Sequence, residues 1–251
     1  MSSRPENTAT RHVIWDLIEN AWLPTLFVAV LWAVFLLSNF YHVNLVEWGV
    51  LPRTTKGLPG IFTSVFIHGD LSHITSNSAP LLILGTLLYF FYRKLAVPVF
   101  LWIWLISGTW LWIGGGSNAI RPTWHIGAST LIYGLATFLF FSGVFRKHRP
   151  LMVVSALVVF MYGSMMWGIF PLMPGMSWEG HLFGAIAGLL VAFNYRNEGP
   201  QKPEFIWNDD DDVSEELPWS DEIESPPQPP LQINYHFKPS DKPNDSSDLK
   251  A

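Results

Sequence analysis

The feature that most restricts this chain is the spacing of its charges. Uncharged stretches run over 20–46, 71–92, 95–120, 122–145, 150–178 and 180–195, with lengths of 27, 22, 26, 24, 29 and 16 residues. A helix crossing a membrane needs roughly 17–25 mostly apolar residues, so five stretches suffice, and the sixth does so with local thinning or tilt. The pattern predicts an all-α membrane protein with six transmembrane helices near 22–41, 72–92, 97–114, 127–144, 151–170 and 180–195. Arg4 and Arg11 are mixed with acids and the first apolar run is too long for a signal-peptide core, so no cleaved signal is expected.

Composition agrees once the chain is divided. Hydrophobic residues make up 49% and charged residues 14%, against about 25% charged in soluble domains. The net charge of −5 conceals two regions: residues 1–196 carry 11 Lys and Arg against 6 acids, and residues 197–251 carry 4 Lys against 14 acids. A nucleic-acid partner is excluded, because no contiguous basic face exists. With no Cys in the chain, a disulfide scaffold is excluded too. The second region holds 9 of the 19 Pro and the run Asp209-Asp210-Asp211-Asp212, so residues 196–251 are expected to form a disordered acidic tail. Three segments follow: an N-terminal piece over 1–21, a helical core over 22–195 and the tail.

Short-loop cations set orientation. Arg93, Lys94, Arg146, Lys147, Arg149 and Arg196 follow the second, fourth and sixth helices, whereas Arg53, Lys56 and Arg121 lie in the opposite loops. Both termini are therefore expected in the cytoplasm. The connection from Tyr41 to about Ser72 is the longest between helices and is apolar, which predicts a loop associated with the outer leaflet.

Ionisable and strongly polar side chains inside membrane spans are costly and mark candidate functional sites. Here they are His73, Asn77, Ser129 and His181, with His68 and His125 just outside the spans. Asn77 is 16 residues from Arg93, Ser129 is 17 from Arg146 and His181 is 15 from Arg196, which at ~1.5 Å per residue gives heights of about 24, 26 and 22 Å. Three helices thus bring one polar residue each to the same level, and His73 stands one turn above Asn77.

A Ser, a His and an amide donor at one buried level suit nucleophilic acyl chemistry. Serine attacks only when a base takes its proton, and the oxyanion formed needs donors aimed at it. Asn77, His73 and the free backbone N–H groups at the start of the fourth helix are candidates. Gly127, two before Ser129, permits the close approach and unusual backbone that such a position needs. Gly184 and Gly188 give the sixth helix a small-residue face, which could bring His181 to Ser129. His125, four before Ser129, is a competing base; Arg121-Pro122-Thr123 and Gly127 argue for a later helix start and favour His181.

Together these residues resemble the rhomboid family of intramembrane serine proteases. The resemblance rests on His68-x4-His73-x3-Asn77 entering the second helix, Gly127-x-Ser129 opening the fourth and Gly180-His181-x2-Gly184-x3-Gly188 on the sixth. Tyr133 fits the family's aromatic that packs on the catalytic histidine. The resemblance covers about residues 22–195 and implies a six-helix core with a Ser129/His181 dyad. It also implies His73, Asn77 and the Ser129 N–H as oxyanion donors, His68 as a residue positioning the loop, and neither cofactor nor metal. The implied partners are transmembrane protein substrates and the lipid bilayer, in a bacterial inner membrane. Thr130 stands where the family often has Gly. The Trp-Arg pair common in the family's first loop is absent, the segment reading Leu58-Pro59-Gly60.

Two other classes compete. His68-x4-His73 has the form of one histidine box of a membrane desaturase, but the chain has no His-His pair for the further boxes that a di-iron site needs. A non-catalytic relative that binds transmembrane helices would not need Ser129 and His181.

Overall fold

The computed structural model describes residues 6–116, 123–172 and 175–202, with side chains from residue 15 onward. The expected acidic tail falls outside the described residues from 203 on, as does Arg121. Every extended element among the described residues is helical: α1 (Glu6–Phe40), α2 (Gly60–Thr63), α3 (Leu71–Phe91), α4 (Ala96–Gly114), α5 (Ser129–Arg146), α6 (Arg149–Tyr162) and α7 (Trp178–Asn194). Among the described residues, five helical stretches are long and apolar enough to cross a membrane: Trp15–Phe40, Leu71–Phe91, Ala96–Gly114, Ser129–Arg146 and Arg149–Ile169. α7, at 17 residues, is slightly shorter.

α5 is the central helix. It packs against α3, α4, α6 and α7, and its Leu131, Leu135, Phe138 and Leu139 are nearly or fully inaccessible. Outward faces stay apolar, with Phe40, Val153 and Phe160 exposed. In water such a surface would be a liability, whereas in a bilayer it is the solvated face.

Helix boundaries shift by one or two residues from the sequence expectation at several ends, and three differences stand out. α1 begins at Glu6 rather than near residue 22, because the polar first turns continue the helix. α5 begins at Ser129 rather than 127, because Gly127 has φ +104° and cannot be helical. The expected fifth helix is not uniform: α6 ends at Tyr162 and the chain continues as 3₁₀ turns from Gly163 to Ile169. Tighter winding redirects the carbonyls of Met165 and Gly168, both of which are used at the site described below.

The long connection between α1 and α3 is a folded structure made of short helical turns. It buries Val50, Leu51, Ile61, Val65 and Ile67 and leaves Trp48, Leu58 and Phe62 exposed. Tryptophans of α4 hold it in place: Trp104 Nε1 donates to Ile61 O at 3.1 Å and Trp112 Nε1 to Thr54 O at 2.8 Å. Arg53 donates to Gly115 O at 2.8 Å. These bonds anchor a loop that lacks the Trp-Arg pair.

At the opposite end, Arg146 is buried rather than a free loop cation. It bonds Ser142, lies over the Tyr92 ring at 5.2 Å, and donates to Tyr195 O at 2.5 Å and Glu198 O at 2.8 Å. Ordered contacts therefore continue past residue 195, where the core was expected to end, and Gly199 packs near Leu95. The guanidinium satisfies carbonyls left free at the end of α7, next to the C-terminal pole of α5. Arg146→Ala leaves those acceptors unpaired. It should lower unfolding free energy by about 3 kcal/mol in a denaturant titration of the purified protein, while Arg93→Ala, at an exposed position, should change it little.

Candidate active site

α3, α5 and α7 all begin at one cavity of about 1230 Å³. Its polar lining includes Asp70, His73, Asn77, Ser129, Glu179 and His181. Three helix N-termini therefore direct their positive poles and unpaired N–H groups at the same space, which favours negative charge there.

Close contact between α5 and α7 determines what meets. A Cβ on Gly184 would collide with Thr130 O, and one on Gly188 with Gly134 O. Backbone thus lies on backbone, as the small-residue face predicts. At this separation His181 Nε2 reaches Ser129 Oγ at 2.9 Å. Thr130 sits in the same contact, its Oγ1 lying 3.0 Å from where a Gly180 Cβ would be; the residue replacing the family's glycine is accommodated by glycines opposite.

The other ring nitrogen fixes the tautomer. His181 Nδ1 lies 3.0 Å from Gly168 O. A carbonyl can only accept, so Nδ1 carries the proton and Nε2 offers its lone pair to the Ser129 hydroxyl. Tyr133 stacks on the imidazole, with centroids 4.1 Å apart and planes within 10°. Its hydroxyl donates to Met165 O at 2.7 Å. The imidazole is therefore held by the 3₁₀ segment on its edge and by Tyr133 on its face. No residue pattern signals the Gly168 and Met165 carbonyls, because any residue type supplies a carbonyl.

Facing Ser129 across Gly127 are the donors from α3. A Cβ on Gly127 would strike the His73 ring, and the Asn77 Nδ2 would stand 3.6 Å from it. Asn77 is buried, and its Nδ2 has no hydrogen-bond partner. An unpaired amide donor in such a place costs stability unless something accepts from it. Asp70 caps α3 by accepting from His73 N at 2.8 Å, and Gly127 N donates to Ser64 O at 2.9 Å. The first loop thus holds the turn on which Ser129 depends.

His68 and His73 pack edge to face with centroids 4.9 Å apart, and His68 is buried. His125 does not approach Ser129 as a base. Its Nδ1 lies 2.6 Å from Ser177 Oγ and its Nε2 3.2 Å from Gly116 O. Sequence reasoning did not single out Ser177. Among the described residues no group of three or more His, Asp or Glu side chains is placed to hold a metal ion.

A polytopic helical protein with a serine and a histidine hydrogen-bonded inside a cavity is the class defined by this fold and site. Residues 56–198 match the Rhomboid domain family. Among similar proteins, an uncharacterized protein of Mycobacterium tuberculosis (strain ATCC 25618 / H37Rv) is 36% identical over 176 residues, covering 66% of this chain and 71% of its own. An uncharacterized protein of Mycobacterium bovis matches to the same extent. One of Mycobacterium leprae is 34% identical over 195 residues, covering 76% of each chain. The chain belongs to the rhomboid family, a family of intramembrane proteases, and is a multi-pass integral membrane protein.

Burial, with a smaller contribution from His73, holds the His68 imidazole down at about 4 against an ordinary 6.5. A base that is neutral when folded and protonated when unfolded contributes stability above pH 6.5 that is lost as pH falls toward 4. The melting temperature should fall across that window, and His68→Gln should flatten the fall, as read by thermal unfolding in detergent at stepped pH.

Proposed function

We propose that this protein is a serine endopeptidase that cleaves peptide bonds in or near the transmembrane helices of membrane-protein substrates, with Ser129 as nucleophile and His181 as general base. The observation that carries this reading is the 2.9 Å Ser129–His181 hydrogen bond, with the far nitrogen of the imidazole tied to a carbonyl. That carbonyl does what a carboxylate does in a three-membered site: it orients the ring and sets its tautomer.

Ser129 Oγ attacks the scissile carbonyl as its proton passes to His181 Nε2. The oxyanion of the tetrahedral intermediate takes hydrogen bonds from the unpaired Asn77 Nδ2, from His73 and from the Ser129 backbone N–H. His181 then gives its proton to the departing amine, leaving an acyl group on Ser129. Water, deprotonated in turn by His181, hydrolyses that ester and frees the new carboxylate. His68 backs His73, and the cavity supplies water at a site inside the bundle. The chemistry on this reading uses neither cofactor nor metal.

The same reading takes the five long helices together with α7 as six membrane spans. Residues 22–195 form the protease core, residues 1–21 the cytoplasmic N-terminal segment and residues 196–251 a cytoplasmic tail. Both termini face the cytoplasm and the α1–α3 loop lies at the outer leaflet of a bacterial inner membrane. With Arg146 buried, five loop cations rather than six stand on the cytoplasmic side against three outside, and the bias keeps its sign.

Cleavage of a labile transmembrane reporter by purified protein in liposomes should drop to background in Ser129→Ala and in His181→Ala. Asn77→Ala should lower kcat by about 10²–10³, the cost of one oxyanion donor. Turnover retained in either dyad variant would overturn the mechanism. Mass spectrometry of membrane proteins exposed to wild-type protein and to Ser129→Ala identifies the substrates.

A further inference from the structure

A second histidine–serine pair stands four residues before the first in each of the two segments. His125 is four residues before Ser129, and Ser177 is four before His181. His125 Nε2 faces the carbonyl of Gly116 at 3.2 Å, so this nitrogen carries the ring proton and Nδ1 accepts from the Ser177 hydroxyl at 2.6 Å. Ser177 is also the N-cap of α7: its oxygen accepts from Gly180 N at 3.3 Å, and its carbonyl accepts from His181 N at 3.2 Å. The hydroxyl that fixes the start of α7 is thus tied to the strand of chain that leads into α5.

His125 is itself rigidly placed. It exchanges two backbone hydrogen bonds with Val50, His125 N to Val50 O at 2.8 Å and Val50 N to His125 O at 2.9 Å. A Cβ at Gly49 would stand 2.7 Å from His125 O. Only 4% of the residue is exposed. The first loop, the lead into α5 and the start of α7 therefore converge on one residue, the first through its backbone and the last through its ring. Burial pushes that imidazole below its ordinary pKa, with Gly116 O and Glu179 acting the other way, so the neutral, accepting form is the one favoured.

We infer that His125 and Ser177 are positioning residues, which clamp the entrances of α5 and α7 together and so hold Ser129 and His181 in reacting register. This rests on the reading of Ser129 and His181 as a reactive dyad. The α5–α7 glycine contact fixes how far apart the helices lie, but leaves each free to slide and rotate slightly about that contact. The clamp removes this freedom four residues before each reacting side chain. Misplacement of a nucleophile by about 1 Å costs up to about 10² in rate, so even a modest loosening is measurable.

The test uses the full-length protein in detergent micelles and a fluorophosphonate–rhodamine probe, following both the rate constant and the final extent of labelling. Wild type should label, and Ser129→Ala should not; absence of wild-type labelling would refute the dyad itself rather than the clamp. His125→Leu removes the acceptor. His125→Asn presents an amide oxygen close to where Nδ1 lies. The expected result is a rate constant about tenfold or more lower in His125→Leu, with full final labelling, and recovery to within about threefold of wild type in His125→Asn.

Ser177→Ala should slow labelling at least as much as His125→Leu, and the double variant should be slower by less than the product of the two single effects, because both changes remove the shared His125–Ser177 bond. Wild-type rate constants in His125→Leu and Ser177→Ala would overturn the inference. So would an unchanged rate constant with a reduced final extent, since that means only that fewer molecules fold. If His125→Leu fails to accumulate, Ser177→Ala carries the same expectation and the same refutation.

Discussion

Everything at the site depends on how closely α5 and α7 approach. A serine and a histidine on neighbouring helices meet at 2.9 Å only if the backbones nearly touch, and here the missing side chains of Gly184 and Gly188 leave room for the carbonyls of Thr130 and Gly134. A larger residue at either position would separate the helices by more than a hydrogen bond tolerates. In a bilayer this contact has no hydrophobic driving force of its own, because lipid tails are as apolar as leucine. Close packing and satisfied polar groups must hold it. The buried Arg146 at one end and the His125–Ser177 pair at the other supply such groups.

Around that contact the polar side chains sort by whether their hydrogen bonds are complete. His181 has both nitrogens engaged, His125 likewise, and Tyr133 is bonded through its hydroxyl. Asn77 Nδ2 is left without a partner. An oxyanion hole has this character on the proposed reading: a donor kept buried and unpaired until charge develops next to it. Three helix N-termini around one cavity add to the same field.

Much of this was legible from residue order. Scarcity of charge predicted the helices and an expected common level for Ser129, His181 and Asn77, because charges in a membrane protein are confined to helix ends, and in the structure all three line one cavity. Gly127 could be read as a backbone position that only glycine adopts readily, and its φ of +104° is of that kind. What escaped are features that leave no trace in residue identity. The break of α6 into 3₁₀ turns is one, and the carbonyls it turns toward His181 and Tyr133 are another. The burial of Arg146 escaped for a related reason: by its place in the sequence it is one more cation in a loop, and only packing shows that it closes the end of α7. In the sequence His125 is a candidate base because four residues from Ser129 is one helical turn, yet the helix begins only at Ser129 and the ring turns toward Ser177.

Hydropathy, charge spacing and residue type are local properties, and they were enough for the membrane-embedded helical class, the family and the residue types that line the cavity. Which of two histidines meets Ser129, which tautomer it holds and that Asn77 Nδ2 is left without a partner were settled only by the packing. Those outcomes depend on distances of a few ångströms between segments far apart in the chain, and such distances are set by how glycines, carbonyls and helix ends pack.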